Sequence, residues 1–337
     1  MPRRLPGSVV VITGASSGIG RATAREFARH GATVVLAARR EEALKVALAE
    51  CEDLGGQGIV VPTDVSDADQ VNRLANTAVE HYGRIDVWVN NAAVFLLGRI
   101  DETPREVYER VIDVNLLGCV NGARAAFRQF REQGEGCLIN VASMVGHAGQ
   151  LYASAYVSSK WAIRGLSECL RMELMDAPEI HVSTVLPAVI DTPLYQHAAN
   201  YTGRAIKAMN PVYPPEQVAA AIARLAQRPE REVFVGNAGR MVAALHTIAP
   251  AVAERAVARQ VEVDQFQDGQ PVPQTDGNVF EPMADGHGAR GGWLVREHLP
   301  QRLSFGAGIA IGLAILAVPL GLYAWTQQRS RMPPQVR

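Results

Sequence analysis

The sequence predicts an α/β fold, a doubly wound parallel sheet of about seven strands with helices on both faces. Short runs rich in Val and Ile alternate with helical patterns, and this order is typical of strand–helix–strand units. The runs lack strict polar alternation, which indicates strands that are buried on both faces. A glycine-rich turn also joins the first run to the first helical pattern.

These elements follow one another in a regular order. Strands are expected over 9–12, 33–37, 58–61, 85–89, 137–141, 181–186 and 232–235. Helices are expected over 21–30, 41–52, 68–81, 104–132 and 153–175. We therefore assign residues 1–240 to one domain.

The pattern changes after this domain. Residues 241–266 have a helical pattern interrupted at Pro250, and the Pro/Gly-rich stretch 267–303 is typical of a linker. Residues 304–325 are uncharged and long enough, at about 22 residues, to cross a bilayer. We predict a C-terminal transmembrane helix there, followed by a short basic tail, 326–337. A buried core helix is the alternative, but core helices of that length rarely lack a polar face.

Composition narrows the classes of function. A net charge of −1 over 337 residues offers no basic surface for nucleic acid, so we exclude that partner. The cysteines are widely spaced, which favours neither a metal site nor a disulfide framework; they are Cys51, Cys119, Cys137 and Cys169. The N-terminus carries no apolar signal core, so we expect a cytoplasmic domain on a single-pass membrane anchor.

The glycine-rich turn predicts a pyrophosphate site. It contains Thr13, Gly14, Ser16, Ser17, Gly18, Ile19 and Gly20. Glycine lets the backbone approach a ligand, and the N-terminus of the next helix offers free N–H groups and a partial positive charge. The spacing differs from the G-x-G-x-x-G pattern, so the turn alone is a moderate signal.

Three polar residues are expected to meet near this turn. Tyr156 and Lys160 are four apart, so they share one face of a helix. Ser143 follows the strand 137–141. The carboxyl end of a parallel strand faces the crevice where open α/β sheets bind ligands.

From about residue 5 to 236 the chain resembles the short-chain dehydrogenase/reductase family. The motifs, in the family's order, are the glycine turn, Asp64-Val65, Asn90-Asn91-Ala92, Asn115, Ser143, Tyr156-x-x-x-Lys160 and 187–192. The resemblance implies a Rossmann-like fold and hydride transfer between a nicotinamide cofactor and a carbonyl or alcohol. Ala93 and Ala188 stand where the family usually has Gly, which alters local backbone freedom near the cofactor.

The resemblance also implies a role for each site residue. Tyr156 would be the acid/base, and Ser143 would donate a hydrogen bond to the substrate oxygen. Lys160 would lower the pKa of Tyr156, which is otherwise near 10, and hold the ribose hydroxyls. Asn115 would position a water that connects Lys160 to solvent. Beyond the turn, the implied cofactor contacts are Arg39, Arg40, Asp64, Val65, Asn91, Ala92, Tyr156, Lys160, Pro187, Val189 and Thr192.

The second strand indicates which cofactor is used. An acidic residue at its end would bind a ribose 2′-hydroxyl, whereas Arg accepts a 2′-phosphate. Arg39 and Arg40 stand there, so we predict NADP(H); solvated loop charges are the alternative. Asp64 would contact the adenine, with a turn or helix-capping role as its alternative.

By the same resemblance, Thr192 contacts the nicotinamide carboxamide and 193–215 form a lid over the substrate. We expect His197 to pack within that lid rather than act as an acid or metal ligand.

The first hypothesis is a membrane-anchored, NADP(H)-dependent oxidoreductase for a small lipophilic carbonyl or alcohol. Its partners would be the lipid bilayer and a second copy of the chain, since the resemblance implies a homodimer formed through the helices around Asn115 and Tyr156. Two alternatives stay open: an NADP(H)-binding redox sensor or scaffold with little turnover, and a soluble enzyme whose apolar tail mediates oligomerisation.

Overall fold

The structure is a computed structural model, and it describes residues 4–267, 269 and 271–294. The predicted transmembrane helix, 304–325, and the basic tail lie outside the described residues. Within those residues, no helix is both long enough and apolar enough to span a bilayer.

A seven-stranded parallel sheet forms the centre of the domain, as predicted. Two further short strands, β5 and β8, pair in parallel beside it. The strands are β1 (Val9–Thr13), β2 (Thr33–Ala38), β3 (Gln57–Pro62), β4 (Val87–Asn90), β5 (Leu96–Leu97), β6 (Gly136–Val141), β7 (Ile180–Pro187), β8 (Ala199–Asn200) and β9 (Glu232–Val235). The order in the main sheet is β3-β2-β1-β4-β6-β7-β9, so the direction of winding reverses between β1 and β4.

Helices cover both faces of this sheet. They are α1 (Gly18–Arg29), α2 (Glu41–Asp53), α3 (Ala68–Tyr82), α4 (Arg105–Ile112), α5 (Gly118–Gln133), α6 (Ser154–Glu173), α7 (Pro215–Gln227), α8 (Asn237–Ile248) and α9 (Pro250–Asp264). Along β1, Val10 and Ile12 join the core under α1, α2 and α7, whereas Val9 and Val11 join the core under α3, α5 and α6. This alternation follows from the two-residue period of a strand.

The single helix predicted over 104–132 is divided in two. A π-helical turn, Asp113–Leu117, separates α4 from α5. Such turns insert an extra residue into a helix and occur often at functional sites. Asn115 lies in this turn and is buried.

The two C-terminal helices agree with the predicted interruption. Pro250 begins α9, a position that tolerates proline because the first turn of a helix leaves its N–H groups unpaired.

The linker predicted over 267–303 does not run free in its described part. Thr275 forms an antiparallel bridge with Asn200, and the backbone N–H of Trp293 donates to Asp191 at 2.7 Å. Between these points, residues 276–293 lie against the domain; we call them the strap.

Candidate active site

The candidate site is a cleft of about 230 Å³ at the carboxyl ends of the central strands, beside the reversal between β1 and β4. Ligands of open α/β sheets bind at this kind of switch point. The cleft is lined by the predicted residues Gly14, Ser16, Ser17, Gly18, Ile19, Arg39, Arg40, Asp64, Val65, Asn91, Ala92, Ser143, Tyr156, Lys160, Pro187, Val189 and Thr192. Thr13, Gly20 and Asn115 were predicted as well, but they are not among the residues that line the cleft.

The glycine turn is packed too closely for side chains. Gly14 and Gly18 have φ of 67° and 55°, which favour glycine. A Cβ on Gly18 would lie 3.3 Å from the side chain of Thr192, across the cleft. A Cβ on Gly20 would lie 2.2 Å from the carbonyl oxygen of Gly14, so Gly20 serves the packing of α1 against the turn.

Thr13 and Asn91 hold this turn from behind. The Thr13 hydroxyl accepts from the backbone N–H groups of Asn91 at 3.0 Å and Ala92 at 3.1 Å. The Asn91 amide in turn donates to the carbonyl of Thr13 at 2.9 Å. Thr13 therefore supports the glycine turn from behind and does not line the cleft.

Ser143 and Tyr156 meet in the middle of the cleft. Ser143 follows β6 and caps a short 3₁₀ turn, where its hydroxyl accepts from Val145 N–H at 3.4 Å. Tyr156, in the first turn of α6, is buried, and its ring packs edge-on against Phe95 at 4.8 Å between centroids. The Ser143 hydroxyl lies close enough to that of Tyr156 to influence its pKa.

The pKa values in this group are set mainly by burial. Burial raises the pKa of Tyr156 to about 12, and the nearby Ser143 hydroxyl opposes that shift. Burial lowers the pKa of Lys160 to about 8. The net shift of the Tyr156 pKa is therefore upward in this arrangement, in which burial outweighs the predicted effect of Lys160 and the ammonium donates to the carbonyl of Val141 at 2.9 Å. A phenolate would lose its hydration here.

Asn115 links three segments behind the cleft. Its carbonyl accepts from Val94 N–H at 2.8 Å, and its amide donates to the Val94 carbonyl at 3.0 Å and to Ser159 at 3.2 Å. A cavity of about 10 Å³ touches both Asn115 and Lys160. That volume is close to what one water requires, so the predicted relay position has room for it.

The arginines at the end of β2 are not solvated loop charges. Arg39 donates to the carbonyls of Asn278 and Phe280, each at 2.6 Å. Arg40 donates to the carbonyl of Ala284 at 2.8 Å. Burial lowers the pKa of Arg39, and the charge of Asp64 opposes that shift.

Asp64 lines the cleft but also fills the turn role that the sequence left open. Its carboxylate accepts from the Ser66 hydroxyl at 2.7 Å and pairs with Arg110. The cap of α3 is instead Asp67.

The lid region contributes packing, as expected for His197. This residue is buried, and its Nε2 lies 2.8 Å from the carbonyl oxygen of Asp285 in the strap. Among the described residues, no group of three acidic, His or Cys side chains could hold a metal ion.

Several lining residues were missed at the level of sequence. On the substrate side they are Phe95, Met144, Val145 and Gln150, whereas Leu194, Tyr195 and Met209 fall within the predicted lid segment, 193–215. On the adenosine side they are Asn278, Pro282, Met283 and His287, all from the strap. Proximity to the Asn91 and Ser143 motifs could have indicated the first set, but no sequence signal marks the second.

Comparisons with known proteins agree with this geometry. Residues 8–202 match the family model described as short chain dehydrogenase. An oxidoreductase of Bacillus subtilis, YxnA, named as uncharacterized, is 36% identical over 96% of this chain and 91% of its own length. A 3-ketodihydrosphingosine reductase of Bos taurus is 34% identical over 72% of this chain and 76% of its own.

Solved structures are similar as well. An alcohol dehydrogenase from Thermococcus sibiricus, complexed with 5-hydroxy-NADP, has a TM-score of 0.59 and 29% identity over 68% of this chain and 95% of its own. A metagenomic short-chain oxidoreductase in complex with NADP has a TM-score of 0.59 and 30% identity over 69% of this chain and 98% of its own.

Proposed function

Because this chain belongs to the short-chain dehydrogenase family, we propose that it is an NADP(H)-dependent oxidoreductase that interconverts a carbonyl group and an alcohol. The observation that carries this proposal is the meeting of Ser143, Tyr156 and Lys160 in one cleft whose other end holds Arg39 and Arg40. Binding alone does not require the first three residues.

The residues at the cleft fit this cofactor. The Gly14–Gly18 turn and the N-terminus of α1 suit a pyrophosphate, since a Cβ at Gly18 would narrow the cleft against Thr192. The guanidinium groups of Arg39 and Arg40 suit a 2′-phosphate. The two solved relatives bind NADP or a derivative of it. When bound, NADP(H) supplies or accepts the hydride.

The protein's own residues handle the proton. With a pKa of about 12, Tyr156 is protonated at neutral pH and can give its proton to a carbonyl oxygen as that oxygen gains negative charge. The Ser143 hydroxyl, which lies close to that of Tyr156, can donate a second hydrogen bond to the same oxygen. The Lys160 ammonium stabilises the phenolate that remains.

We further propose a lipophilic substrate, since most of the side chains on the substrate side of the cleft are apolar. Phe95, Val145, Leu194 and Met209 lie on this side. A second hollow of about 60 Å³ shares Val145 and Met209 with the cleft and extends toward α8 and α9. It offers space for an alkyl chain, in keeping with the ketone lipid named for the Bos taurus relative.

The membrane anchor and the homodimer are part of the same proposal. The uncharged sequence 304–325 supports a single-pass anchor that holds a cytoplasmic catalytic domain near lipid. For the dimer, the support is exposed apolar surface on the implied helices, at Trp161 and Met172 of α6 and at Leu117 before α5.

The test is turnover by the full chain in detergent, followed by NADPH and NADH absorbance with a panel of lipophilic ketones and aldehydes. We expect oxidation of NADPH that is lost in Tyr156→Phe, in which the fold and the binding of NADPH should be retained. Tight NADPH binding without turnover across the panel would instead favour the redox sensor or scaffold.

A further inference from the structure

The strap occupies hydrogen-bond donors that an anionic ligand of the cleft would use. At one end of the cleft, the carbonyls of Asn278 and Phe280 accept from Arg39, and that of Ala284 accepts from Arg40. At the glycine turn, the first N–H of α1, on Gly18, donates to the carbonyl of Gly288 at 3.1 Å. In the proposed complex with NADP(H), the first of these positions would hold the 2′-phosphate and the second would hold the pyrophosphate.

The strap is held in this position by several hydrogen bonds and by close backbone packing. The hydroxyl of Tyr201 donates to Asp276, and Asn278 N–H donates to the carbonyl of His197 at 2.9 Å. Farther along, the buried Arg21 donates to the carbonyl of His287 at 2.6 Å. A Cβ on Gly277 would lie 2.3 Å from the carbonyl oxygen of His197, so the strap passes the lid in tight contact.

The contacts with the arginines are of a kind that a phosphate can replace. The direct hydrogen-bond partners of Arg39 are neutral carbonyl oxygens, although the guanidinium is partly buried. In the bonds to the strap only the guanidinium is charged, whereas a phosphate would add the opposite charge on the acceptor and can accept two parallel hydrogen bonds from one guanidinium. Glu281 of the strap adds only a longer-range negative charge near Arg39.

We propose that the strap is an internal competitor for the 2′-phosphate subsite, and that the 2′-phosphate of NADP(H) displaces residues 278–284 from Arg39 and Arg40. NAD(H), which has a hydroxyl there, leaves this part of the strap in place. The strap thus lowers the affinity for NADP(H) and reports which of the two cofactors is bound. This inference rests on the proposed use of NADP(H).

The first test is hydrogen exchange of the strap amides in the full chain, measured alone, with NADPH and with NADH, each at saturation. We expect faster exchange over 278–284 with NADPH and little change there with NADH. Slower exchange with NADPH would overturn the inference, because the strap would then be a wall of the occupied site.

The second test detaches the strap. Gly277→Val introduces a clash with the His197 carbonyl at a φ of 52°, and Asp276→Ala removes the anchor to Tyr201 without added bulk. We expect either change to lower the dissociation constant for NADPH about fivefold or more, and that for NADH by less. The control is Gly292→Ala, which also has positive φ, at 81°, but meets no neighbour within 4 Å.

The outcomes separate the two proposals. If the unmodified chain binds NADH as tightly as NADPH, the cofactor proposal fails, and the strap's role fails with it. If it prefers NADPH but Gly277→Val and Asp276→Ala both weaken NADPH binding or leave it unchanged, only the competitor role fails.

Discussion

The ammonium of Lys160 lies over the ring of Tyr156, 5.4 Å from the ring centroid. It therefore contacts the face of the aromatic system, where a cation is favoured, while the phenol itself is neutral. Both groups are buried, so a change in the charge of one is felt strongly by the other.

The rate of carbonyl reduction should fall as pH rises past the pKa of Lys160. Tyr156 keeps its proton until about pH 12, whereas burial lowers the pKa of Lys160 to about 8. Above pH 8 the neutral lysine no longer stabilises the phenolate, so kcat/KM should drop about tenfold per pH unit. A pH profile of NADPH oxidation measures this limb. The Lys160→Met variant should not show this decrease in rate above pH 8. A decrease that begins only near pH 11 or 12 would assign the titration to Tyr156 instead.

Lys160 should also affect stability in a pH-dependent way. Its pKa is lower in the folded chain, at about 8, than the ordinary value of 10.5. Between pH 8 and 10.5 the unfolded chain binds more protons at this residue than the folded chain does. Lys160 therefore makes the free energy of unfolding rise with pH in this range, and this stabilisation is lost as pH falls through 8. Urea unfolding at pH 7.5 and 9.5 should show a larger rise for the unmodified chain than for Lys160→Met. Equal rises would contradict the lowered pKa.

Arg39→Ala should reduce the preference for NADPH over NADH. Losing a charge-assisted contact with a 2′-phosphate should raise KM for NADPH about 10- to 100-fold. KM for NADH should change little, because its ribose hydroxyl carries no charge. Arg29→Ala is the matched control, since Arg29 is exposed and paired with Glu26 on α1. A similar rise for both cofactors would show that Arg39 acts through folding of the cleft.

Gly20→Ala should damage the cofactor turn. The new methyl would lie 2.2 Å from the carbonyl oxygen of Gly14, which is backbone and cannot rotate away. We expect a loss of about 1–3 kcal/mol in the free energy of unfolding, together with loss of NADPH binding. Gly165→Ala in α6 is the control: it meets nothing within 4 Å and should stabilise the chain by about 0.5–1 kcal/mol. Unchanged NADPH affinity in Gly20→Ala would contradict the packing role.

Removal of residues 304–337 should release the protein from membranes. The full chain should stay in the membrane pellet after alkaline carbonate extraction, because 304–325 is long and apolar enough to span a bilayer. The truncated chain should appear in the supernatant and keep its turnover with a short, soluble ketone. Extraction of the full chain by carbonate would favour the soluble enzyme whose tail mediates oligomerisation.

The strands and the three central site residues could be predicted from the sequence, because short local patterns determine where they lie. The strands follow runs of apolar residues, and Ser143, Tyr156 and Lys160 are placed by a strand end and a helical repeat of four. The π-helical turn at Asp113–Leu117 was not predicted, because its helical pattern continues from α4 into α5.

The path of the strap could not be predicted for a different reason. Its contacts with Arg39, Arg40 and Gly18 are made by backbone carbonyl groups, which every residue has. Composition showed many Pro and Gly residues there, and these are as compatible with a packed irregular segment as with a free linker. The lowered pKa of Lys160 could not be predicted either, because it results from burial, and burial depends on the complete fold rather than on local sequence.

The short pairing of β5 with β8 divides the predicted lid. Ala199 N–H donates to the Phe95 carbonyl at 2.9 Å, and Tyr201 N–H donates to the Leu97 carbonyl at 2.8 Å. These bonds fix the middle of the 193–215 segment to the wall that follows β4. The segment is therefore tethered near its middle, so it forms two shorter loops on either side of β8 rather than one continuous loop.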